Sequence, residues 1–371
     1  MVRREAFDAL VTRARREVDQ GIVPSCQLAL ARDGTVEEQV TLGDATAGQD
    51  SRYVIYSATK PVVASAIWQL LAEGSLHLED KVVDHIPEFG TLGKDVVTVE
   101  QVLLHTSGFP LAPLGPPSWA DRDARVAAFA AWRLNWEPGS QFEYHATSAH
   151  WVLAELLARI DGTDHRDAVH GRVIEPLGLK SLRVGVPVAD QGDVQTVIHS
   201  GEPPTAEEFE AVLGIPGIDP GEVTEEALQL FADPANVAVG VPGGGGVSTA
   251  GDLALFYQAL LHDPTGVWDP VWLERAKSEI RNRFNDPMRG VPVNRTIGLM
   301  VRGDDAGALL RGFGHGASAS TFGHNGAGGQ LAWADPESGL SFAYLTNGLD
   351  RHILREARRG VALSSLAAAC A

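Results

Sequence analysis

The sequence predicts an α+β protein: an antiparallel sheet flanked by helices, built from both ends of the chain, with a mostly helical domain inserted between them. Three observations predict it. Strand patterns gather near the two termini, helical periodicity fills the middle, and 371 residues of 44% apolar composition are enough for a large core. The expected division is residues 1–50 with 290–371 for the sheet and 51–289 for the helical part, with a site at their interface.

Met1 to Ile22 carries charges scattered through an apolar periodicity, which reads as an amphipathic helix and not as a signal peptide. A cytoplasmic location is the matching expectation. Pro24 to Arg32 and Val36 to Leu42 are β-rich runs separated by Asp33-Gly34, two residues that tolerate positive φ and so suit a tight hairpin. From Ser57 the period becomes helical, with Val62, Val63, Ala66, Ile67, Leu70 and Leu71 on one face and Gly74 at the C-cap. Further helices are expected at Val99–Leu104, Arg122–Leu134, Thr147–Ile160, His165–Ile174, Ala250–Leu261 and Pro270–Arg281. The acidic stretch Gly201 to Pro234 reads as a solvated loop, with a lid over a site as the alternative, and Gly240 to Gly246 as a glycine-rich connector. Strands return at Arg295–Val301, Gln330–Ala334 and Leu340–Leu345, the last two joined by the turn-forming Asp335 to Gly339, and Arg351–Ala369 closes the chain as a helix.

Composition removes several function classes. Lys and Arg number 30 against 48 Asp and Glu, a formal charge of −18 that repels nucleic acid and anionic membrane surfaces. No window approaches the roughly 18 uninterrupted apolar residues of a membrane span. The two cysteines, Cys26 and Cys370, cannot make a disulfide framework or a zinc site, and the twelve histidines form no H-E-x-x-H. G-x-x-x-x-G-K-[ST] is absent as well, so neither metal nor cofactor is expected.

No serine stands in G-x-S-x-G, but Ser57-Ala58-Thr59-Lys60 is an S-x-x-K tetrad at the start of an apolar-faced helix. Three residues along a helix return to the same face, which brings the Lys60 amine to the Ser57 hydroxyl. The helix N-terminus adds N–H groups and a positive dipole end beside any oxyanion formed there. Serine is a poor nucleophile until a neighbour takes its proton, and free lysine and tyrosine, near pKa 10.4 and 10, are too basic unless they depress one another. Working at neutral pH needs a fall of about 3 units, roughly 4 kcal/mol, which a desolvated Lys/Tyr couple can supply. Of the five tyrosines, Tyr144 is best placed, in the loop Glu137 to Ala146 that leads into a helix.

These residues resemble the serine β-lactamase and D,D-peptidase superfamily, in particular its class C β-lactamase-like branch with the family VIII carboxylesterases and related acyltransferases and amide hydrolases. The matches run through nearly the whole chain in order: Ser57 to Lys60, Leu78 to Val82, Leu103 to Gly108, Glu137-Pro138-Gly139 with Tyr144, Gly244 to Leu253, and His324-Asn325-Gly326 followed by Ala327-Gly328-Gly329. The resemblance implies a β-lactamase/transpeptidase-like fold, Ser57 as nucleophile, and Lys60 with Tyr144 as the proton-transfer pair. It also implies an oxyanion hole from the N–H groups of Ser57 and Ala327, with His324, Asn325 and Gly326 lining the substrate side. His315, in Phe313-Gly314-His315-Gly316, competes with His324, which is preferred because the glycine-rich stretch follows it directly.

The chain departs from the family pattern twice. The second motif reads Tyr144-His145-Ala146 where β-lactamases carry Y-x-N, so the amide that contacts an acylamino group is missing. The third motif begins with His324 in place of lysine, and an unperturbed histidine is mostly neutral at pH 7. Both changes argue against anionic β-lactams and for a neutral acyl ester as the small-molecule substrate. An esterase is the leading expectation, with an acyltransferase or amide hydrolase as variants of the same chemistry and a non-catalytic acyl-binding module as the contrasting class. His105 and His145 read as structural or rim residues, and Tyr56, Trp119, Trp136 and Trp333 as core aromatics or walls of an acyl pocket.

Overall fold

The computed structural model describes residues 1–44, 46–218 and 223–371. The chain opens with α1 (Arg4–Asp19) and the hairpin β1 (Ser25–Arg32) and β2 (Thr35–Gly43), in which Arg32 pairs with Thr35 across Asp33 and Gly34, both at positive φ (50° and 74°). That is the turn whose twist matches the flanking strands. A small sheet combines β3 (Tyr53–Val54), β4 (Arg183–Val184) and β6 (Gly246–Ser248), while β5 (Ile198–Ser200) pairs in parallel with β11 (Gly348–Asp350). Near the C-terminus follow β7 (Met300–Val301), β8 (Phe322–Gly323), β9 (Leu331–Asp335) and β10 (Leu340–Thr346). The principal sheet is antiparallel with strand order β2-β1-β10-β9-β8-β7, so the two ends of the chain meet where β1 lies beside β10.

Alternation along the strands sorts the core. Leu28, Leu30, Trp333, Phe342 and Tyr344 face α1 and the C-terminal helix α13 (Ile353–Ala368), whereas Ala29, Ala31, Ala332, Ala334 and Ala343 face the helical region. Small residues on the second face let α11 (Ala250–His262) pack close to the sheet. The helical region comprises α2 (Thr59–Glu73), α3 (Val82–His85), α4 (Val99–Leu103), α5 (Arg122–Ala131), α6 (Ser148–Asp161), α7 (His165–Val169), α8 (Ala206–Leu213), α9 (Glu225–Ala232), α10 (Pro234–Val239), α11 and α12 (Pro270–Ser278). Nearly every side chain of α2 is buried, which makes it the axis of this region, and Gly74 ends it in the left-handed conformation (φ 71°). Among the described residues no helix is long and apolar enough to cross a membrane.

Two local expectations are corrected. Arg295–Val301 is not one strand: Gly298 turns at φ 132° against α2, where a Cβ would lie 2.6 Å from that of Ala64, and regular pairing begins only at Met300. The stretch Gly201–Pro234 is not plain loop, since it folds α8 and α9, α8 behind a capping box in which Thr205 and Glu208 satisfy one another's backbone N–H. Residues 219–222 of that stretch lie outside the described residues.

Candidate active site

The segment before Ser57 is held by the small sheet: Tyr53 and Val54 pair with Ser248 and Val247, and the Ile55 N–H donates to the Gly246 carbonyl at 2.9 Å. Tyr56 then takes a left-handed conformation (φ 44°), a strain of about 1–2 kcal/mol for a residue with a Cβ. It turns the chain through a 3-10 segment, Tyr56–Ala58, directly into α2. Ser57 is half-buried among fully buried neighbours, which makes it the reachable residue of the turn.

One helical turn later Lys60 Nζ lies 3.3 Å from Ser57 Oγ and donates to the carbonyls of Ala146 (2.7 Å) and Gly243 (2.6 Å). Both carbonyl contacts are short, so two backbone acceptors hold the amine beside Ser57. The glycine connector makes this fit possible. A Cβ on Gly243 would stand 2.8 Å from the Ala146 oxygen, and one on Gly246 would stand 2.7 Å from the Thr59 hydroxyl, which accepts from the Gly246 N–H at 2.9 Å.

Tyr144 comes to the same place from the loop before α6. Its ring centre is 4.9 Å from Lys60 Nζ and 5.1 Å from the guanidinium carbon of Arg295. Its buried hydroxyl has no hydrogen bond of ordinary geometry. Burial pushes the phenol up, but the charges of Lys60 and Arg295, with Lys60 and Ser57 in reach of its oxygen, outweigh burial and hold it below the usual 10. Around it stand His105 (4.9 Å between ring centres) and His324 (6.0 Å), with His150 stacked on His105 and His145 tilted beside it. All four are held neutral. His105, His150 and His324 sit well below 6.5, first through burial and then through the nearby charges of Arg295 and Lys60. His145 falls to about 4, by burial against the opposing pull of the Glu143 carbonyl that accepts its Nδ1–H.

The far wall is the turn between β8 and β9. Gly326 lies so close to the nucleophile segment that a Cβ would be 2.3 Å from the Ile55 oxygen. His324 is 3% exposed, donates Nδ1–H to the Asn325 carbonyl at 2.9 Å and leaves Nε2 buried without a partner. Asn325 is turned to the backbone: its side chain accepts from Ala332 N–H at 3.1 Å and donates to the Gly312 carbonyl at 3.4 Å. The N–H groups of Ser57 and Ala327 belong to two short 3-10 turns, Tyr56–Ala58 and Ala327–Gly329.

At the rim, Phe231 of α9 packs on Tyr56 (6.3 Å) and Trp119 (5.3 Å), and the Tyr56 hydroxyl donates to the Leu228 carbonyl at 3.3 Å. Trp136 stands edge-on to His145 at 6.3 Å. Trp333 is fully buried on the opposite face of the sheet against Phe342, and His315 is exposed. Arg295 and His150 are the two residues of this cleft that sequence reasoning missed. Neither belongs to a motif, although a buried-side histidine ahead of the apolar run Trp151 to Ala154 of α6 was a visible signal.

The fold and this cleft define a protein of the β-lactamase and penicillin-binding-protein type. The chain belongs to the Beta-lactamase family, whose family model matches residues 7–366. It is 29% identical over 327 residues to the esterase/β-lactamase LipL of Mycobacterium tuberculosis, an alignment covering 81% of this chain and 70% of LipL. A penicillin-binding protein homologue from Caulobacter crescentus superposes with a TM-score of 0.82 at 28% identity, covering 100% and 99% of the two chains. A family VIII carboxylesterase shares the fold at a TM-score of 0.78 and 23% identity, with the same coverage. The relatives support a serine hydrolase.

Proposed function

We propose that the protein is a carboxylesterase that forms an acyl-enzyme at Ser57 from neutral acyl esters. The observation that carries this is the Ser57, Lys60 and Tyr144 constellation, in which Ser57 is half-buried and the Lys60 amine, 3.3 Å from its hydroxyl, is anchored by two backbone carbonyls. As Ser57 Oγ bonds to the ester carbon, its proton passes to the Lys60/Tyr144 pair, which returns it to the departing alkoxide when the C–O bond breaks. Water then repeats the exchange, giving the acid and free Ser57. The N–H groups of Ser57 and Ala327 are the donors offered to the oxyanion, a role in which one donor typically contributes about 3–4 kcal/mol.

A neutral ester suits this cleft. Ala146 presents no amide to an acylamino group, His324 is neutral, and Arg295, 4% exposed, is stacked on Phe142 and Tyr144 and so turned away from a substrate carboxylate. The test is intact-mass labelling with a fluorophosphonate alongside hydrolysis of p-nitrophenyl butyrate. One adduct on the wild type, none on Ser57→Ala, and a loss of turnover on the order of 10⁴-fold or more are expected. An adduct on both proteins would assign the nucleophile to another serine.

A further inference from the structure

Arg295 is a buried guanidinium without a carboxylate. Among the described residues its side chain makes no hydrogen bond and no ion pair, and its Nε is buried without a partner. Its contacts are two aromatic faces, Phe142 at 5.7 Å and Tyr144 at 5.1 Å. Asp286, an acid that reaches it electrostatically, is bonded to Arg289 at 2.8 Å. Desolvating a cation costs several kcal/mol unless an anion compensates, and π faces compensate only in part. Tyr144 is the group in contact with Arg295 that can become an anion.

We propose that Arg295 is the permanent counter-cation of Tyr144, a positioning residue whose guanidinium, stacked on the phenol ring, favours the anionic, proton-accepting form of its oxygen. The groups that face Tyr144 from the surrounding elements agree with this assignment. Lys60 from α2 adds a second positive charge, Arg289 is offset by Asp286, and His105, His150 and His324 from three different segments are neutral. Burial depresses Arg295 only to about 10, so it keeps its charge throughout the working range. The site thus holds a fixed cation beside the phenol whichever proton Lys60 gives or takes.

The proposal rests on the Ser57 acyl-enzyme reading, and the test separates the two. The whole protein is titrated while tyrosinate difference absorbance is followed, and subtraction of Tyr144→Phe isolates one phenol. An opposite charge within about 4–6 Å lowers the pKa of an acid by about 1–3, so in Arg295→Gln the midpoint should rise by that amount and in Arg295→Lys by less. The acidic limb of kcat/KM for p-nitrophenyl butyrate should move up in step, and at a pH below the limb the rate should fall about tenfold for every pH unit that the limb moves. A midpoint in Arg295→Gln equal to that of the wild type would overturn the proposal. Should Arg295→Gln not fold, the wild-type and Arg295→Lys titrations decide: a wild-type Tyr144 midpoint at or above 10 overturns it. Full turnover by Tyr144→Phe would instead remove the proton-relay reading and leave the spectroscopic result standing.

Discussion

Two clusters of buried charge lie on opposite sides of the turn that holds Ala327 to Gly329, and they are built on opposite plans. Beneath α13, Arg359 contacts Asp350 at 3.1 Å and Glu17 at 3.3 Å, Arg355 contacts Asp350 at 2.6 Å, and Glu17 also meets Arg13. Every cation there touches a carboxylate, and the knot joins α1, β11 and α13, the two ends of the chain. In the cleft, Lys60 and Arg295 meet backbone carbonyls, aromatic faces and neutral histidines. Compensated charge holds the fold together; the guanidinium of Arg295, set against aromatic faces, prepares the cleft for an anion that forms during reaction.

The largest effect that distinguishes the two clusters is kinetic. Tyr144→Phe removes the acceptor between the two cations and keeps the ring on which they stack. It should lower kcat/KM by about 10²–10⁴ while thermal unfolding changes by no more than the loss of one hydrogen bond, about 1 kcal/mol, because the ring stays packed and only the contacts of its oxygen with Lys60 and Ser57 go. A fall in melting temperature as large as that of a core mutation would show that the phenol belongs to the structure and blur the contrast. Arg359→Met does the reverse. It leaves buried carboxylates at Glu17 and Asp350, and breaking such a pair costs about 3–5 kcal/mol. Arg13 and Arg355 remain beside them, so denaturant unfolding should show a loss near the lower end, about 3 kcal/mol, with kcat unchanged in the fraction that folds.

How far each cluster could be read from the sequence follows from its chemistry. Ser57, Lys60 and Tyr144 stood out because the first two share a helical face and the third lies in a turn that leads into a helix. The hairpin was legible in Asp33-Gly34 and the axis helix in its apolar face ending at Gly74, since each depends on local conformation. Arg295 was not legible, because its meaning comes from stacking on a residue of a distant segment and from the lack of a carboxylate, which no spacing encodes. The strands of two and three residues at Tyr53, Arg183, Gly246 and Phe322 are too short for period-2 alternation to register. The helices of the acidic stretch do carry a local signal, since Thr205-Ala206-Glu207-Glu208 is a capping box, but it stands alone in a segment of high charge that otherwise reads as loop.

The smallest predicted effect lies where the two clusters meet. Gly329, at the end of the far-wall turn, is close enough to α13 that a Cβ would stand 3.2 Å from Arg359 and 3.5 Å from Glu356. Burial raises the Glu356 carboxyl to about 7, against the attraction of Arg359 and a bond from the Gly329 backbone, with Asp350 adding to the rise. Its value in the unfolded chain is near 4.5, so between the two the folded protein keeps a proton that the unfolded chain releases. Stability from this group is therefore undiminished below about pH 4.5 and falls as the pH rises through 7, with a ceiling of roughly 3 kcal/mol set by the gap between those two values. Glu356→Gln keeps the shape and removes the titration, at the cost of one attraction to Arg359, so its net gain above pH 7 should be on the order of 1 kcal/mol. Urea unfolding of both proteins from about pH 5 to 8 tests this: the wild type should lose stability across that window and the variant should lose less. Parallel curves would mean that Glu356 is already ionised in the fold and belongs to the compensated knot, and the border between the clusters would then pass on the cleft side of Gly329.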